Sequence, residues 1–240
     1  MFSLCIPTMN RYDNFLSEFL PRYINNELID EIIISDENGN DAEKISKRFE
    51  SVPKIKLHVN KQQLGAFLNK ITACKYAKNQ WIALIDSDNF ADIDYFTLAQ
   101  NKINKMNYQE ETIIAPYYPL GIKFFEDLIL NKNNIRNLTE KRKLGKFINT
   151  GNFILNKYLT DNIKLIPEMT EFKDHGYDVY HFYMIIFEQY EKLNIHVYKD
   201  LKYTHNFSDD GYVKICTSSD MNKFHEANNI LNEKFNKLGS

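Results

Sequence analysis

The chain has 240 residues, 43% of them hydrophobic and 26% charged, with a formal net charge of -2 at pH 7. That is enough apolar material for one sizeable core, and it excludes the broad basic field that non-specific nucleic-acid binding requires. The apolar runs fall well short of the ~20 residues of a membrane span, and no basic-then-apolar leader opens the chain, so the expectation is a soluble, cytoplasmic protein.

Taken in chain order, short apolar runs alternate with stretches of helical periodicity, the pattern of a mostly parallel sheet wound by crossover helices. Residues 2–6 read as the first strand, stopped by Pro7, and Phe15, Leu16, Phe19, Leu20 and Tyr23 then recur at helical spacing. Residues 31–35 read as the second strand. The run from Asp36 to Asp41 after it is turn and helix-cap chemistry, and Ile45 and Phe49 mark the helix that follows. Residues 55–59 read as the third strand, residues 65–77 as a helix of small residues able to lie close on a sheet, and residues 81–85 as the fourth strand. A helix over residues 92–105 follows.

The second half is less regular, with strands at residues 112–115 and 153–155 and a polar stretch over 131–142 between them. Residues 178–193 form a helix with Val179, Phe182, Ile186, Tyr190 and Leu193 on one face, and a strand at 195–198 follows. An amphipathic C-terminal helix over 220–238 starts at Ser219 or Asp220 and carries Phe224, Ala227, Leu231 and Phe235 on one side. No repeat or low-complexity linker divides the chain, so a single domain over residues 1–240 is expected. Cys5, Cys74 and Cys216 sit far apart beside apolar residues, which suits buried thiols in a reducing compartment better than a disulfide framework or a zinc site.

Ligands of wound sheets bind beyond the carboxyl ends of the strands. Those ends carry Pro7-Thr8-Met9-Asn10-Arg11, Asp36-Glu37-Asn38, residues 60–65 and Asp86-Ser87-Asp88. Each is ordinary loop chemistry when taken alone, and their convergence on one crevice is what points to a site. Two carboxylates one residue apart on a turn after a buried strand suit a hard divalent ion that neutralises a diphosphate. Asp36 is either a carboxylate accepting from an imide N–H such as that of uracil or a turn and helix-capping residue. Lys61, Lys70 and Arg142 are able to neutralise phosphate but read first as solvated surface charges, so none is assigned. Tyr117, Tyr118, Tyr177, Tyr180 and Tyr183 supply either a stacking platform for sugar rings or ordinary packing.

The order Pro7-Thr8-x-Asn10-Arg11, an acidic second strand end, Leu64-Gly65-Ala66-x-x-Asn69 and then Trp81-Ile82-Ala83-Leu84-Ile85-Asp86-Ser87-Asp88-Asn89 resembles the family 2 glycosyltransferases of GT-A fold, over about the first ninety residues. The resemblance implies an α/β, Rossmann-like wound sheet flanked by helices. It implies a nucleotide-sugar site built from Pro7, Thr8, Asn10, Arg11, Asp36, Gly65, Asn69, Asp86, Ser87 and Asp88, with Asp36 on the base and Thr8 and Arg11 around base and ribose. Asp88 becomes the direct ligand of a manganese or magnesium ion, Asp86 its support, and His205 a further ligand, with His175 and His181 as alternatives. Thr150, Gly151 and Asn152 resemble the segment lining acceptor and donor sugar. The family's acidic pair before its late helix is Tyr177-Asp178 here, which leaves the general base between Asp178 and Asp174, with Glu171 third.

The implied function is transfer of a hexosyl unit from a UDP-sugar to a hydroxyl of a glycan or other acceptor, metal-dependent and inverting. Residues 1–110 form the nucleotide-sugar half, and residues 111–240 the acceptor half with its C-terminal helix. Two alternatives stand beside it. A sugar-phosphate nucleotidyltransferase needs a glycine-rich, basic loop after the first strand, where this chain has Pro7-Thr8-Met9-Asn10-Arg11. A sugar-nucleotide-binding module without catalysis leaves the candidate metal ligands and base without a role.

Overall fold

Strands form where β-branched and aromatic residues run without charged interruption, as at Ile32, Ile33 and Ile34, whose stiff side chains pack on both faces of a pleated sheet. The computed structural model describes residues 1–107, 109–116, 128–139, 152–165 and 178–206, with residues 229, 230, 233 and 237 besides. In chain order the elements are β1 (Phe2–Thr8), a π-helical turn (Tyr12–Leu16) running into α1 (Ser17–Ile24), β2 (Ile29–Asp36), α2 (Asn40–Arg48), β3 (Ile55–Val59), α3 (Ala66–Lys75), β4 (Trp81–Leu84) and α4 (Ile93–Lys105). They continue with β5 (Thr112–Pro116), β6 (Leu128–Leu130), α5 (Lys132–Thr139), β7 (Phe153–Asn156), α6 (Lys157–Asp161), α7 (Asp178–Gln189) and β8 (Asn194–Tyr198).

The strands form one eight-stranded sheet in the order β3-β2-β1-β4-β7-β5-β8-β6. β1, β2, β3 and β4 are mutually parallel, β7 runs antiparallel between β4 and β5, β8 is parallel to β5, and β6 is antiparallel to β8. The chain winds outward from β1 to β3, then returns to the other side of β1 to lay down β4. The carboxyl ends of β1 and β4 therefore flank the switch point where wound sheets open a crevice.

Alternation along the strands divides the core between the two faces. Cys5, Ile33, Ile82, Leu84, Phe153 and Leu155 pack with residues of α3 and α7. Leu4, Ile32, Ile34, Ala83 and Ile154 pack with residues of α1 and α4 on the other side. β3 forms one edge, with Leu57 and Val59 exposed. Among the described residues no helix is long and apolar enough to cross a membrane.

The structure differs from the sequence expectations in three places. β1 continues through Pro7, which pairs with Ser35. The β1–β4 pairing ends at Cys5 and Leu84, and the Cys5 carbonyl facing β4 accepts from Ile85 N at 3.0 Å. Pro7 is two residues on and faces the same side, past the end of β4, so its missing N–H forfeits no ladder bond. The polar stretch at 131–142 contains a helix, α5, started by an asparagine cap in which Asn131 Oδ1 accepts from Asn133 N at 3.0 Å, and anchored by the buried Ile135. β6 and α6 are too short to announce themselves by periodicity. Most of the expected C-terminal helix, and Cys216, lie outside the described residues; residues 229, 230, 233 and 237 are helical, and Ile230 packs against the core.

Phe96 is fully buried, with its ring 5.8 Å from Phe2 and 5.6 Å from Tyr95. Phe96→Ala is expected to lower the unfolding free energy by ~3–5 kcal/mol, read as a lower urea midpoint at unchanged slope.

Candidate functional site

The loop after β1 is held from below by a carboxylate on α2. Thr8 Oγ1 donates to Asp41 Oδ2 at 2.5 Å, Arg11 N donates to the same oxygen at 2.9 Å, and Tyr12 N donates to Oδ1 at 2.9 Å. Asp41 is buried, and these donors compensate its charge. Asn10 sits at φ 58, a left-handed position that asparagine tolerates better than most residues. Its Oδ1 accepts from Asn38 Nδ2 at 3.1 Å and Asn40 Nδ2 at 2.8 Å, so the ends of β1 and β2 are tied together. Pro7 is buried, and Lys61 is exposed.

The acidic pair ending β2 divides its work, and Asp36 takes the turn and helix-capping part that the sequence left open for it. Asp36 is fully buried, and its two oxygens accept from Asn38 N at 3.2 Å and Ala42 N at 2.8 Å. It closes the turn and braces the start of α2. Its neighbour Glu37 is also buried: Oε2 accepts from Leu64 N at 2.6 Å, and Oε1 has no hydrogen-bond partner among the described residues. Burial pushes the Glu37 carboxyl above the usual range, with Asp36 adding to it, while the Leu64 amide, Asn60 and the Gly65 amide pull the other way. Gly65 at φ 82 opens α3 in a conformation that side chains rarely adopt. Asn69, one turn into α3, accepts from Asn60 Nδ2 at 3.0 Å and reaches the Thr8 carbonyl at 3.5 Å.

The acidic turn after β4 is fixed from both halves of the chain. Asp86 N donates to Asn152 Oδ1 at 2.7 Å, while the Asn152 carbonyl accepts from Tyr95 OH at 3.2 Å. Asn89 N donates to the Asp86 carbonyl at 3.0 Å. Phe90 and Thr204 exchange two backbone hydrogen bonds, of 3.0 and 2.7 Å. Asn206 Nδ2 donates to the Asp88 carbonyl at 2.7 Å and Asn206 N to Asn89 Oδ1 at 3.2 Å. Ser87 is buried in the turn. Lys70, on α3, forms an ion pair with Asp86 Oδ1 at 2.6 Å.

His205 reaches this turn through the Phe90–Thr204 bridge, with its ring edge-on to Tyr203 at 6.2 Å. Burial lowers its pKa, and the nearby Asp86 charge opposes that shift. Among the described residues no three His, Cys, Asp or Glu side chains stand close enough to hold an ion by themselves. The expected trio of Asp86, Asp88 and His205 is therefore not a closed protein cage. Magnesium-like ions commonly take one or two protein carboxylates and complete their shell with phosphate and water. An acidic turn with a half-buried imidazole within its field fits that shared arrangement.

Asp178 is the first residue of α7. Asp174, Glu171, Thr150, Gly151, Arg142, His175, Tyr117, Tyr118 and Tyr177 lie outside the described residues, and Tyr180 and His181 fall within α7. Tyr183 is fully buried against Phe153, Phe182 and Phe187, which makes it core and not a sugar platform. Sequence reasoning gave no role of their own to Glu37, Asp41 and Asn206. The first two stood in the acidic, asparagine-rich run after β2, and Asn206 stood beside the late histidine.

A wound sheet with an acidic turn buttressed at the β1–β4 switch point is the arrangement expected of GT-A glycosyltransferases. The chain belongs to glycosyl transferase family 2, whose model matches residues 3–163. Among solved structures, S. aureus TarS 1-349 is similar at a TM-score of 0.64 and 15% identity, covering 100% of this chain and 66% of that one. The same TarS fragment in complex with UDP-GlcNAc gives a TM-score of 0.65 at 14% identity, covering 100% and 67%. Glucosyl-3-phosphoglycerate synthase from Mycobacterium tuberculosis, in complex with Mn2+, UDP-glucose and phosphoglyceric acid, gives 0.62 at 13% identity, covering 97% and 80%. At these identities the likeness is one of fold. The chain spans about two thirds of the TarS fragment. No curated protein sequence matches it.

Because the pKa of Glu37 is raised on folding, the stability it contributes is present below its unfolded pKa and is lost as pH rises through the folded one. At neutral pH its ionised form opposes folding. Glu37→Gln, which keeps an oxygen for Leu64 N, is expected to unfold at an equal or higher denaturant midpoint than the parent at pH 7. That advantage should disappear as pH falls through the carboxylate range, as parallel urea titrations at the two pH values will report.

Proposed function

We propose that the chain transfers a glycosyl unit, a hexosyl from a UDP-sugar, to an acceptor hydroxyl with metal assistance and inversion of the anomeric centre. The observation that carries this reading is the acidic turn 86–88, locked by Asn152 and Asn206 beyond the carboxyl end of β4. Support comes from family membership and from neighbours of the same fold crystallised with UDP-GlcNAc or with Mn2+ and UDP-glucose.

In this reading residues 1–110 bind the donor and residues 111–240 the acceptor. The acidic end of β2 reads the base: Asp36, whose oxygens each accept one backbone amide, and Glu37, whose Oε1 has no partner among the described residues, are the two candidates to accept the imide N–H of uracil. Thr8 and Arg11 stand around base and ribose, with Pro7, Asn10, Gly65 and Asn69 shaping the wall and Ser87 the turn. Asp88 is the direct ligand of a Mn2+ or Mg2+ ion, with Asp86 in support and His205 adjoining. A bound ion supplies positive charge to the leaving diphosphate. Asn152 holds the turn toward the donor, and Thr150 and Gly151 line the sugar. Asp178 takes the proton from the acceptor hydroxyl, with Asp174 and then Glu171 next in line. Cys5 and Cys74 are buried free thiols, which supports the reading of a reducing compartment such as the cytoplasm.

Calorimetry tests the donor half. UDP and Mn2+ should each tighten binding of the other, and Asp88→Ala should remove that coupling; independent binding that Asp88→Ala leaves unchanged would refute the assignment of the turn. A turnover assay over UDP-, GDP- and dTDP-sugars tests the chemistry. Asp178→Asn should lower kcat by about 10²–10⁴-fold with UDP affinity retained, and an equal loss from Asp174→Asn alone would move the base to that residue. UDP binding with no metal-dependent sugar release from any donor would favour a binding module.

A further inference from the structure

We infer that Lys70 is a resident counter-ion for the donor diphosphate, held at the acidic turn by Asp86, so that this chain binds a nucleoside diphosphate in part without any metal. The inference rests on the donor site proposed above.

The first argument is burial. The Lys70 side chain is 12% exposed, and the Asp86 side chain that meets it at 2.6 Å is 26% exposed. A surface lysine keeps its ammonium in water and gains little from a nearby carboxylate. This one has given up most of its hydration at the mouth of the crevice. A charge so placed needs anionic company.

The second argument is position. Lys70 follows Asn69, which reaches the Thr8 carbonyl at the end of β1, and its own ammonium reaches Asp86 at the end of β4. Two consecutive residues of α3 thus span the switch point at which a ligand of a wound sheet lies. The Asp86 backbone is anchored: its amide is held by Asn152 at 2.7 Å and its carbonyl by Asn89 at 3.0 Å. The ammonium is therefore tied to a carboxylate on an anchored backbone instead of ranging on a free stem.

The third argument is charge. The ion pair with Lys70 offsets the charge of Asp86, one of the two carboxylates of the turn. Together with the lack of any three-ligand cluster among the described residues, that is a poor trap for a divalent ion alone. A diphosphate changes the balance, since its anionic oxygens meet an ammonium already in place and then supply the further ligands an ion requires. UDP accordingly binds this chain without metal, whereas Mn2+ without nucleotide binds weakly.

The test uses the full chain with UDP and uridine as probes, by calorimetry in EDTA and again in Mn2+. The expected results are measurable UDP binding by the parent in EDTA and a loss of tenfold or more in Lys70→Met. Uridine binding should be unchanged by the substitution, the loss should be smaller in Mn2+, and Lys70→Arg should recover part of the affinity. Salt dependence of UDP binding to the parent in EDTA, absent for uridine, reports the same contact without any variant, and it decides the matter if Lys70→Met does not fold. Equal UDP affinity of parent and Lys70→Met in EDTA overturns the inference, as does an equal loss of uridine, which would mark Lys70 as structural. UDP binding by the parent that requires Mn2+, or that is insensitive to salt, overturns it too while leaving the donor site standing. Failure of the parent to bind either UDP or uridine under both conditions instead overturns the donor reading on which it rests.

Discussion

The hydrogen bond from the Asp86 amide to the Asn152 side chain joins the two halves of the molecule at the point where charge matters most. An acidic turn on its own is a pair of mobile carboxylates. Here the peptide that carries them is pinned by a residue at the start of β7, whose carbonyl is pinned in turn by the buried Tyr95 hydroxyl. β7 runs antiparallel to β4, so its leading residue meets the trailing end of β4, and a parallel strand in that slot would bring its far end there instead. The break in the parallel pattern of the sheet is thus the device that organises the turn. Asn206, arriving through the Phe90–Thr204 bridge, secures the far side.

Across the switch point the opposite wall is built with buried acids that cost stability unless they are matched. Asp41 is matched completely, with three donors from one loop, and becomes the support of that loop. Asp36 is matched by two backbone amides. Glu37 is matched on one oxygen only, and burial holds its carboxyl above the usual range. Folded proteins tolerate such an imbalance where a ligand completes it. The wall therefore differs in how far its carboxylates are matched, with those that shape the loops bonded on both oxygens and Glu37 on one.

Much of this was legible in the sequence, for identifiable reasons. The strands β1 to β4 are apolar runs bounded by turn residues, and the fourth one delivers Asp86 and Asp88 to a strand end with no further information needed. The division of labour between Asp36 and Glu37 was not legible. Adjacent acids at a strand end point to opposite sides of the chain, and which one meets the α2 amides depends on the register of β2 against β1 and on Gly39 at φ 85, close to the Val59 side chain. Asp41 read as one more turn residue because its partners, Thr8, Arg11 and Tyr12, lie about thirty residues away. Lys70 was seen but looked like any surface lysine, since its burial follows from how α3 lies across the end of β4. The helix α5 was hidden by its asparagines, with Ile135 its buried anchor among the described side chains.

The insertion of β7 beside β4 also bears on how the molecule assembles. β1, β2 and β3 pair strands fewer than thirty positions apart, so little chain is closed into loops, and β4 closes onto β1 once residues 81–84 have been made. The Asp86–Asn152 contact spans 66 positions and has to wait for the rest of the sheet. A growing chain therefore acquires the scaffold of β1 to β4 well before it acquires an ordered acidic turn. The order of that turn then arrives late in folding, as a property of the closed sheet and not of the segment that contains the acids.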